Sequence, residues 1–357
     1  MKRISTIAKD KPMNEWKVLL ASCALLATCL PAAHSQVLPG VPVQVTVDNF
    51  ARAESDRYFA MTIKRAGLGQ FFHWRQLVPA GAQTVVRPNR DTLYSTAVFD
   101  LDAGPVSVTL PDAGKRYISL ALINEDHHVV DVDYVAGQYT VSRAQVGTRY
   151  VMLGVRILVN PADPSDLDKV HALQDAIVVS QANGPGRFDV PEWDETSRAR
   201  IRGALAVLGQ SLDDSRDMFG KTGDVDPVRH LIGSATAWGG NPQKDAFYQI
   251  VTPERNDGQT PYRLVVDQVP VQAFWSISVY DADGRFRPNA LEAYTLNNLT
   301  AKKDQSGRVP VQFGGCTAST DNCLPIMPGW NYMVRFYLPQ QSILDGSWKL
   351  PPAQPAS

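Results

Sequence analysis

Short alternating runs of apolar, aromatic and β-branched residues, each closed by a turn signal, set the tightest limit on what this chain can fold into. Residues 92–101 (TLYSTAVFDL) alternate in this way, and residues 106–110, 117–123, 128–134, 138–141 and 150–159 continue the series. Between them stand Asp102-Ala103-Gly104-Pro105, Pro111-Asp112-Ala113-Gly114 and Ala136-Gly137. A period of two sends alternate side chains to one face. Strands this short and this closely spaced bury that face by pairing into an antiparallel sandwich or barrel. The pattern returns after Asn256-Asp257-Gly258. There, residues 262–269 and 273–280 form an alternating pair, and Asp281-Ala282-Asp283-Gly284 is the turn that follows. Residues 309–313 and 332–338 complete the set.

Helical spacing occupies the remainder. Residues 47–66 place Phe50, Ala53, Phe59 and Ile63 among their apolar positions, with Asp48 as the expected cap. Ser165 with Asp168 has the form of a capping box, and Leu167, Val170, Leu173 and Ile177 follow at helical spacing until Gly184-Pro185-Gly186. Residues 194–212 predict a second helix, with Ile201, Leu205 and Leu208 on one side. Asp226-Pro227 starts a third, through His230, Ile232 and Trp238, which Gly239-Gly240-Asn241-Pro242 stops. The fold class is therefore α+β, mainly antiparallel β, with two β-sandwich or jelly-roll-like units and a helical connector. The expected divisions are a signal peptide at 1–35, an N-terminal helix plus first β unit at 36–160, a helical connector at 161–255, a second β unit at 256–350 and a flexible tail at 351–357.

Residues 13–35 read as an export signal. Lys17 precedes the apolar run 18–30, and Ala33 and Ser35 stand at −3 and −1 of a cleavage before Gln36. That run is shorter than the roughly 20 residues of a membrane span, so a mature chain without a transmembrane segment is expected in the periplasm or secreted. Leu20-Ala21-Ser22-Cys23 matches a lipoprotein box, which offers lipid anchoring through Cys23, although only Val18 and Leu19 precede it as apolar lead-in. After cleavage 30 basic and 34 acidic side chains remain, a formal charge of −4. This mild acidity speaks against a nucleic-acid partner and against docking on anionic lipid. Cys316 and Cys323, inside GGCTASTDNCLP, read as a local disulfide in an oxidising compartment.

Long stretches also resemble known bacterial families. VVRPNRDTLYSTAVFDL (85–101), LPDAGKRYISLALINEDHH (110–128) and HALQDAI (171–177) resemble the domain of unknown function 1254. FWSISVYDADGRF (274–286), AYTLNNLTA (293–301) and CLPIMPGWNYMVRFYLPQQSILDGSW (323–348) resemble its usual companion, the domain of unknown function 1214. The resemblance implies a two-part, β-rich protein, exported or associated with the envelope. It implies no established activity.

Two polar clusters are candidates for chemistry. Asn124-Glu125-Asp126-His127-His128, with Asp131 and Asp133 beyond, ends a strand. Asp126 with His127 or His128 is the expected catalytic pair, a general base and its orienting acid. The same imidazoles and carboxylates can hold a divalent metal, although no His-Glu-x-x-His spacing occurs. The plainer alternative is a polar turn whose carboxylates accept from backbone N–H groups. In extended backbone His127 and His128 would point to opposite faces. The second cluster is Arg87-Pro88-Asn89-Arg90-Asp91, leading into Thr92 and Tyr94. Its guanidiniums can clamp a carboxylate or phosphate, or pair internally with Asp91. Arg87, Asn89, Arg90, Asp91, Tyr94, Asn124 and Asn298 form the expected ligand set, with His73 brought nearby or simply hydrogen-bonded among aromatics. Trp275, Tyr280, Trp330 and Tyr332 can wall a pocket or pack in a core.

No Gly-x-Ser-x-Gly elbow, Walker loop or Rossmann glycine pattern occurs, and no cofactor is clearly signalled. Three functions fit these residues. The first is an envelope protein binding a small polar or anionic ligand between its two β units. The second is a hydrolase or lyase using a His/Asp pair, with or without a metal. The third is a structural envelope scaffold. The oligomeric state is not encoded in any of these features.

Overall fold

The strand expected at 117–123 is Ile118–Asn124 in the computed structural model, which describes residues 40–83 and 85–356. It is buried along its whole length, because both faces of its sheet are covered. That five-stranded sheet runs Phe72–His73, Thr92–Asp100, Tyr150–Leu158, Ile118–Asn124, Val129–Asp133, antiparallel throughout. One face packs Leu93, Leu120, Leu122, Leu153 and Val155 against Val106 and Val108 of a three-stranded sheet, Gly137–Val141, Val106–Leu110, Val178–Gln181. The opposite face sets Val98, Ala121 and Met152 against Tyr58 and Phe59 of the helix Phe50–Ala66.

The second β unit is a sandwich of two four-stranded sheets. One runs Cys323–Leu324, Val309–Phe313, Tyr262–Val266, Gln354–Pro355. The other runs Thr295–Asn297, Trp275–Tyr280, Asn331–Tyr337, Ala246–Val251. Its core holds Leu264, Ile277, Val311, Phe313, Trp330, Tyr332 and Phe336. The two sandwiches keep separate cores but meet along an aromatic seam. Tyr117 of the first unit packs edge-on against Phe274 at 5.3 Å, and Phe274 stacks on Tyr337 at 4.0 Å. The architecture is thus α+β with mainly antiparallel strands in two units.

Several details differ from the sequence expectation. Residues 262–269 and 273–280 do not pair with each other. Tyr262–Val266 and Trp275–Tyr280 lie in opposite sheets, because the Val269-Pro270 link crosses the sandwich instead of turning back. The stretch read as helical connector carries the strands Val178–Gln181 and Ala246–Val251, and the second of these pairs with Asn331–Tyr337. The tail expected to be flexible instead ends in Gln354–Pro355, which pairs at the sheet edge where Ala356 N–H also reaches Pro261 O at 2.8 Å. The helix after residue 163 starts at Pro164 and is capped by Asp163, whose carboxylate accepts from Ser165 N–H, so the Ser165–Asp168 box does not form. The N-terminal helix begins after Asn49 rather than at the expected Asp48. Asp194 and Asp226 do cap their helices, Glu195–Gly209 and Pro227–Thr236. The expected signal segment, with the Cys23 anchor, lies outside the described residues. Among the described residues no helix is long and apolar enough to cross a membrane.

A disulfide joins Cys316 to Cys323 across a seven-residue separation. Loop-closure entropy for so short a loop is worth about 2.5 kcal/mol. Replacing both cysteines by serine is expected to lower stability by about that amount, read as a lower urea midpoint at unchanged slope. The Phe50–Ala66 helix also buries Asp56, which accepts from Trp193 Nε1–H at 2.9 Å through one oxygen while the other has no partner. Burial pushes its pKa up to about 7, the indole hydrogen bond opposing only part of the rise. A carboxyl that holds its proton more tightly when folded contributes stability in full below the unfolded pKa of about 3.9, and loses it as pH rises through the folded value. Asp56→Asn is therefore expected to be more stable than wild type at pH 8, by roughly 2–4 kcal/mol, and to match it near pH 4. Urea titrations at the two pH values make the comparison.

Candidate functional site

Arg156 and Arg335 are each the one charged residue of their strand, Tyr150–Leu158 and Asn331–Tyr337. Both side chains are buried. Strand register places a tyrosine directly opposite each: Tyr94 pairs with Arg156 and Tyr248 with Arg335. Both guanidiniums, with both tyrosines, line a cavity of about 660 Å³ at the junction of the two β units. The first sheet provides Thr92, Tyr94, Thr96, Met152, Gly154 and Arg156 from one face, as a period of two requires. Met333, Arg335 and Tyr337 come from the second unit, and Tyr58 and Met61 from the N-terminal helix. The segment containing Phe72, Trp74, Leu77 and Val85 forms a largely apolar wall.

Hydrogen-bond donors outnumber acceptors at the base of this cavity. Arg156 donates to Asn241 Oδ1 at 2.6 Å and to Gly239 O. Arg335 donates to Ser278 Oγ at 2.9 Å, Tyr280 OH at 2.6 Å and Arg87 O at 3.0 Å. Arg87 donates to Asn331 Oδ1 at 3.4 Å, and its buried Nε has no partner. The Asn89 amide nitrogen lies 3.1 Å from Tyr94 OH, 3.0 Å from Tyr337 OH and 3.1 Å from Thr92 Oγ1, with two protons for three oxygens. Tyr94, Tyr248 and Tyr337 accept through their hydroxyls, yet none has an acceptor for its own proton among the described residues. Among the described residues six arginines line the cavity and no Asp or Glu does. Among the described residues, no carboxylate forms an ion pair with Arg87, Arg156 or Arg335.

Burial pushes the pKa values of Arg156 and Arg335 down, but the surrounding tyrosines, joined at Arg335 by the charge of Asp91, more than offset it, so both stay charged. Burial holds the Tyr248 and Tyr337 hydroxyls above their ordinary range, which keeps them protonated donors. His73, also on the wall, bonds Ser95 Oγ through Nδ1 at 2.8 Å, and burial followed by the nearby Arg75 lowers its pKa.

The expected ligand residues divide. Arg87, Asn89 and Tyr94 line the cavity. Arg90 turns away, donating to Val78 O and lying over the Tyr294 ring at 4.9 Å. Asp91 is enclosed behind the site and accepts from Asn297 Nδ2 at 3.0 Å, and burial raises its pKa. Asn298, next to that partner, faces solvent. Asn124 builds a turn: its Oδ1 accepts from Asp126 N–H at 3.0 Å and His128 N–H at 2.9 Å. Asp126 pairs with Arg52 at 2.7 Å. His128 is half-buried and stacks on His230 at 4.4 Å. Asn124, Asp126, His127, His128 and Asn298 are all absent from the cavity lining. Among the described residues no three His, Cys, Asp or Glu side chains are grouped to hold a metal ion.

His127 is not extended. Its φ of 64° places it in the left-handed region, and its ring is fully buried behind the cavity wall. Gly239 N–H donates to its Nε2 at 2.8 Å, and its Nδ1 lies 2.8 Å from Ser234 Oγ. Since Nε2 accepts, Nδ1 carries the proton. The residue thus anchors the wall loop whose Gly239 carbonyl receives Arg156. Trp238, on that loop, stacks between Tyr58 at 4.4 Å and His127 at 5.3 Å. The sequence reading passed over Arg156, Arg335, Tyr248 and Tyr337. Their signal was a lone arginine amid apolar strand residues.

Fold and site together define a two-sandwich α+β protein with an arginine- and tyrosine-lined cavity at its seam. Residues 68–144 match the family model described as "Protein of unknown function (DUF1254)" and residues 248–341 match "Protein of unknown function (DUF1214)". The chain's fold is similar to that of the VPA0106 protein from Vibrio parahaemolyticus, at TM-score 0.66 and 17% identity, over 87% of this chain and 98% of that one. An uncharacterized protein from Burkholderia cenocepacia aligns at TM-score 0.47 and 12% identity, over 82% and 85% of the two chains. No curated protein matched.

His127→Ala is expected to cost about 2–4 kcal/mol, through a buried cavity and an orphaned Gly239 N–H. Asp126→Ala, which loses a half-exposed ion pair, should cost under about 1 kcal/mol. Urea denaturation of the two variants measures the contrast.

Proposed function

We propose that this protein binds a small organic anion in the seam cavity, and that it does so outside the cytoplasm. The carrying observation is the excess of donors among the described residues: four lining guanidiniums, Arg65, Arg87, Arg156 and Arg335, form no ion pair with a carboxylate, and three phenol hydroxyls have no acceptor, around one hollow. A buried charge without an opposite charge is costly. An anion placed among these groups supplies the missing acceptors and the missing charge together. The cavity volume lies within the range of about 300–1,000 Å³ usual for small-molecule sites. The Cys316–Cys323 bridge and the expected export signal support the location.

The His/Asp reading has less to draw on, because His127 is enclosed with both ring nitrogens bonded inside the protein, His128 stacks on His230 away from the cavity, and Asp126 is held by Arg52. The scaffold reading accounts for the bonds that Arg156 and Arg335 make to backbone across the seam, but not for the open hollow they line.

Carboxylates and phosphates screened at concentrations well above Kd are expected to raise the melting temperature for at least one class. One hundred times Kd adds about 2.7 kcal/mol. Arg156→Gln and Arg335→Gln should each weaken binding about 10- to 100-fold, the loss of a charge-assisted hydrogen bond. A broad panel of anions that moves nothing counts against the proposal.

A further inference from the structure

Three of the six cavity arginines are already engaged. Arg75 pairs with Asp175 and Arg202 with Glu54. Arg65 lies over the Trp74 ring at 4.7 Å and donates to Met61 O at 3.1 Å. That leaves one polar centre, built of Arg87, Arg156 and Arg335 with the hydroxyls that Asn89 links. Outside this centre the walls are mainly apolar: Met61, Phe72, Trp74, Leu77, Val85 and Met152. Phe72 and Trp74 meet edge to face at 5.0 Å, and Trp74 is 37% exposed although it faces the hollow.

Resting on the anion-binding reading, we infer that the ligand is amphipathic, with a single anionic headgroup on the Arg87–Arg156–Arg335 centre and an apolar body against Phe72 and Trp74. A small inorganic anion would satisfy the donors and leave the apolar wall wet. An apolar body gains free energy from every methylene it takes out of water. The headgroup chemistry is common to a free carboxylic acid and a phosphate-headed lipid fragment, and both present several acceptor oxygens to a guanidinium.

Calorimetry on the disulfide-intact protein with acetate, butyrate, hexanoate, octanoate, octyl phosphate and 1-octanol tests this. From butyrate to octanoate each methylene is expected to tighten Kd about four-fold, the equivalent of about 0.8 kcal/mol. 1-Octanol should bind at least about ten-fold more weakly than octanoate, for want of the charge. Octyl phosphate binding within ten-fold of octanoate assigns the headgroup site to phosphate as well, and octanoate alone assigns it to the free acid. Either result supports the inference. A flat series, in which acetate binds as well as octanoate, overturns the apolar body and leaves the anion reading standing. Octanol binding as tightly as octanoate, or no acid or phosphate binding at all, overturns the anion reading itself. Trp74→Ala, at a partly exposed position that the cores do not use, should weaken octanoate about ten-fold and spare acetate. An unchanged octanoate affinity removes the body from this wall.

Discussion

Two guanidiniums, one from a sheet of each β unit, are buried at the same seam, and among the described residues no carboxylate forms an ion pair with either. Removing such a charge from water costs several kcal/mol unless the surroundings replace its hydration. The replacement here comes mostly from backbone carbonyls and tyrosine oxygens, and those groups belong to several elements. Arg335, on the second unit, is held by the carbonyls of Arg87 and Pro88, which lead into the first sheet. Arg156, on the first unit, is held by Gly239 and Asn241, on the loop that leads toward the Ala246–Val251 strand. Each arginine therefore ties its own sheet to chain outside its own sandwich. The hydrophobic cores make two sandwiches, and these bonds help set how one meets the other.

The wall loop shows how far the constraint reaches. Gly239 can offer its carbonyl to Arg156 because its N–H is fixed from behind by His127. At Gly240 a Cβ would stand 2.4 Å from the Phe219 ring, so the loop passes there only as glycine. His127 is itself placed by a tight turn that Asn124 braces through its side-chain oxygen. The conspicuous Asn124–His128 run thus bears on the cavity without touching it. It shapes the wall, and the wall positions a charge.

Much of the fold was legible because burial on one face leaves a period of two. The strands Thr92–Asp100, Val106–Leu110 and Val309–Phe313 lie within a residue of their expected bounds. Ala246–Val251 was missed because its half-buried positions do not alternate cleanly. Its place in the sheet is decided by Asn331–Tyr337, about 85 residues away, which no local pattern reveals. The site was legible only in part. Arg87, Asn89 and Tyr94 stood out as a polar run entering a strand. Asn298 was off by one residue: the strand Thr295–Asn297 ends before it, and it stands in the turn that follows, facing solvent. Asn297 is the residue that reaches Asp91. Arg156 and Arg335 hid inside runs that read as ordinary core, because a lone charge in an apolar strand gives no partner to search for.

Whether such arginines serve structure alone can be weighed against the rest of the same chain. Among the described residues three arginines are buried. Arg198 meets Glu54 and Glu195. The partly buried Arg116 and Arg149 meet Asp166 and Asp100. These pairs are closed in the manner expected of a structural network, in which each charge finds its opposite. Arg156 and Arg335 break that pattern at a large hollow to which both β units contribute, although an acid was close at hand. Asp91 is near enough to Arg335 for its charge to be felt, yet it turns to Asn297 and Thr295, and burial raises its pKa toward the neutral form. A network built for stability would bring that carboxylate to the guanidinium. Keeping them apart leaves a positive, donor-rich surface facing open space, which is the condition an incoming anion requires.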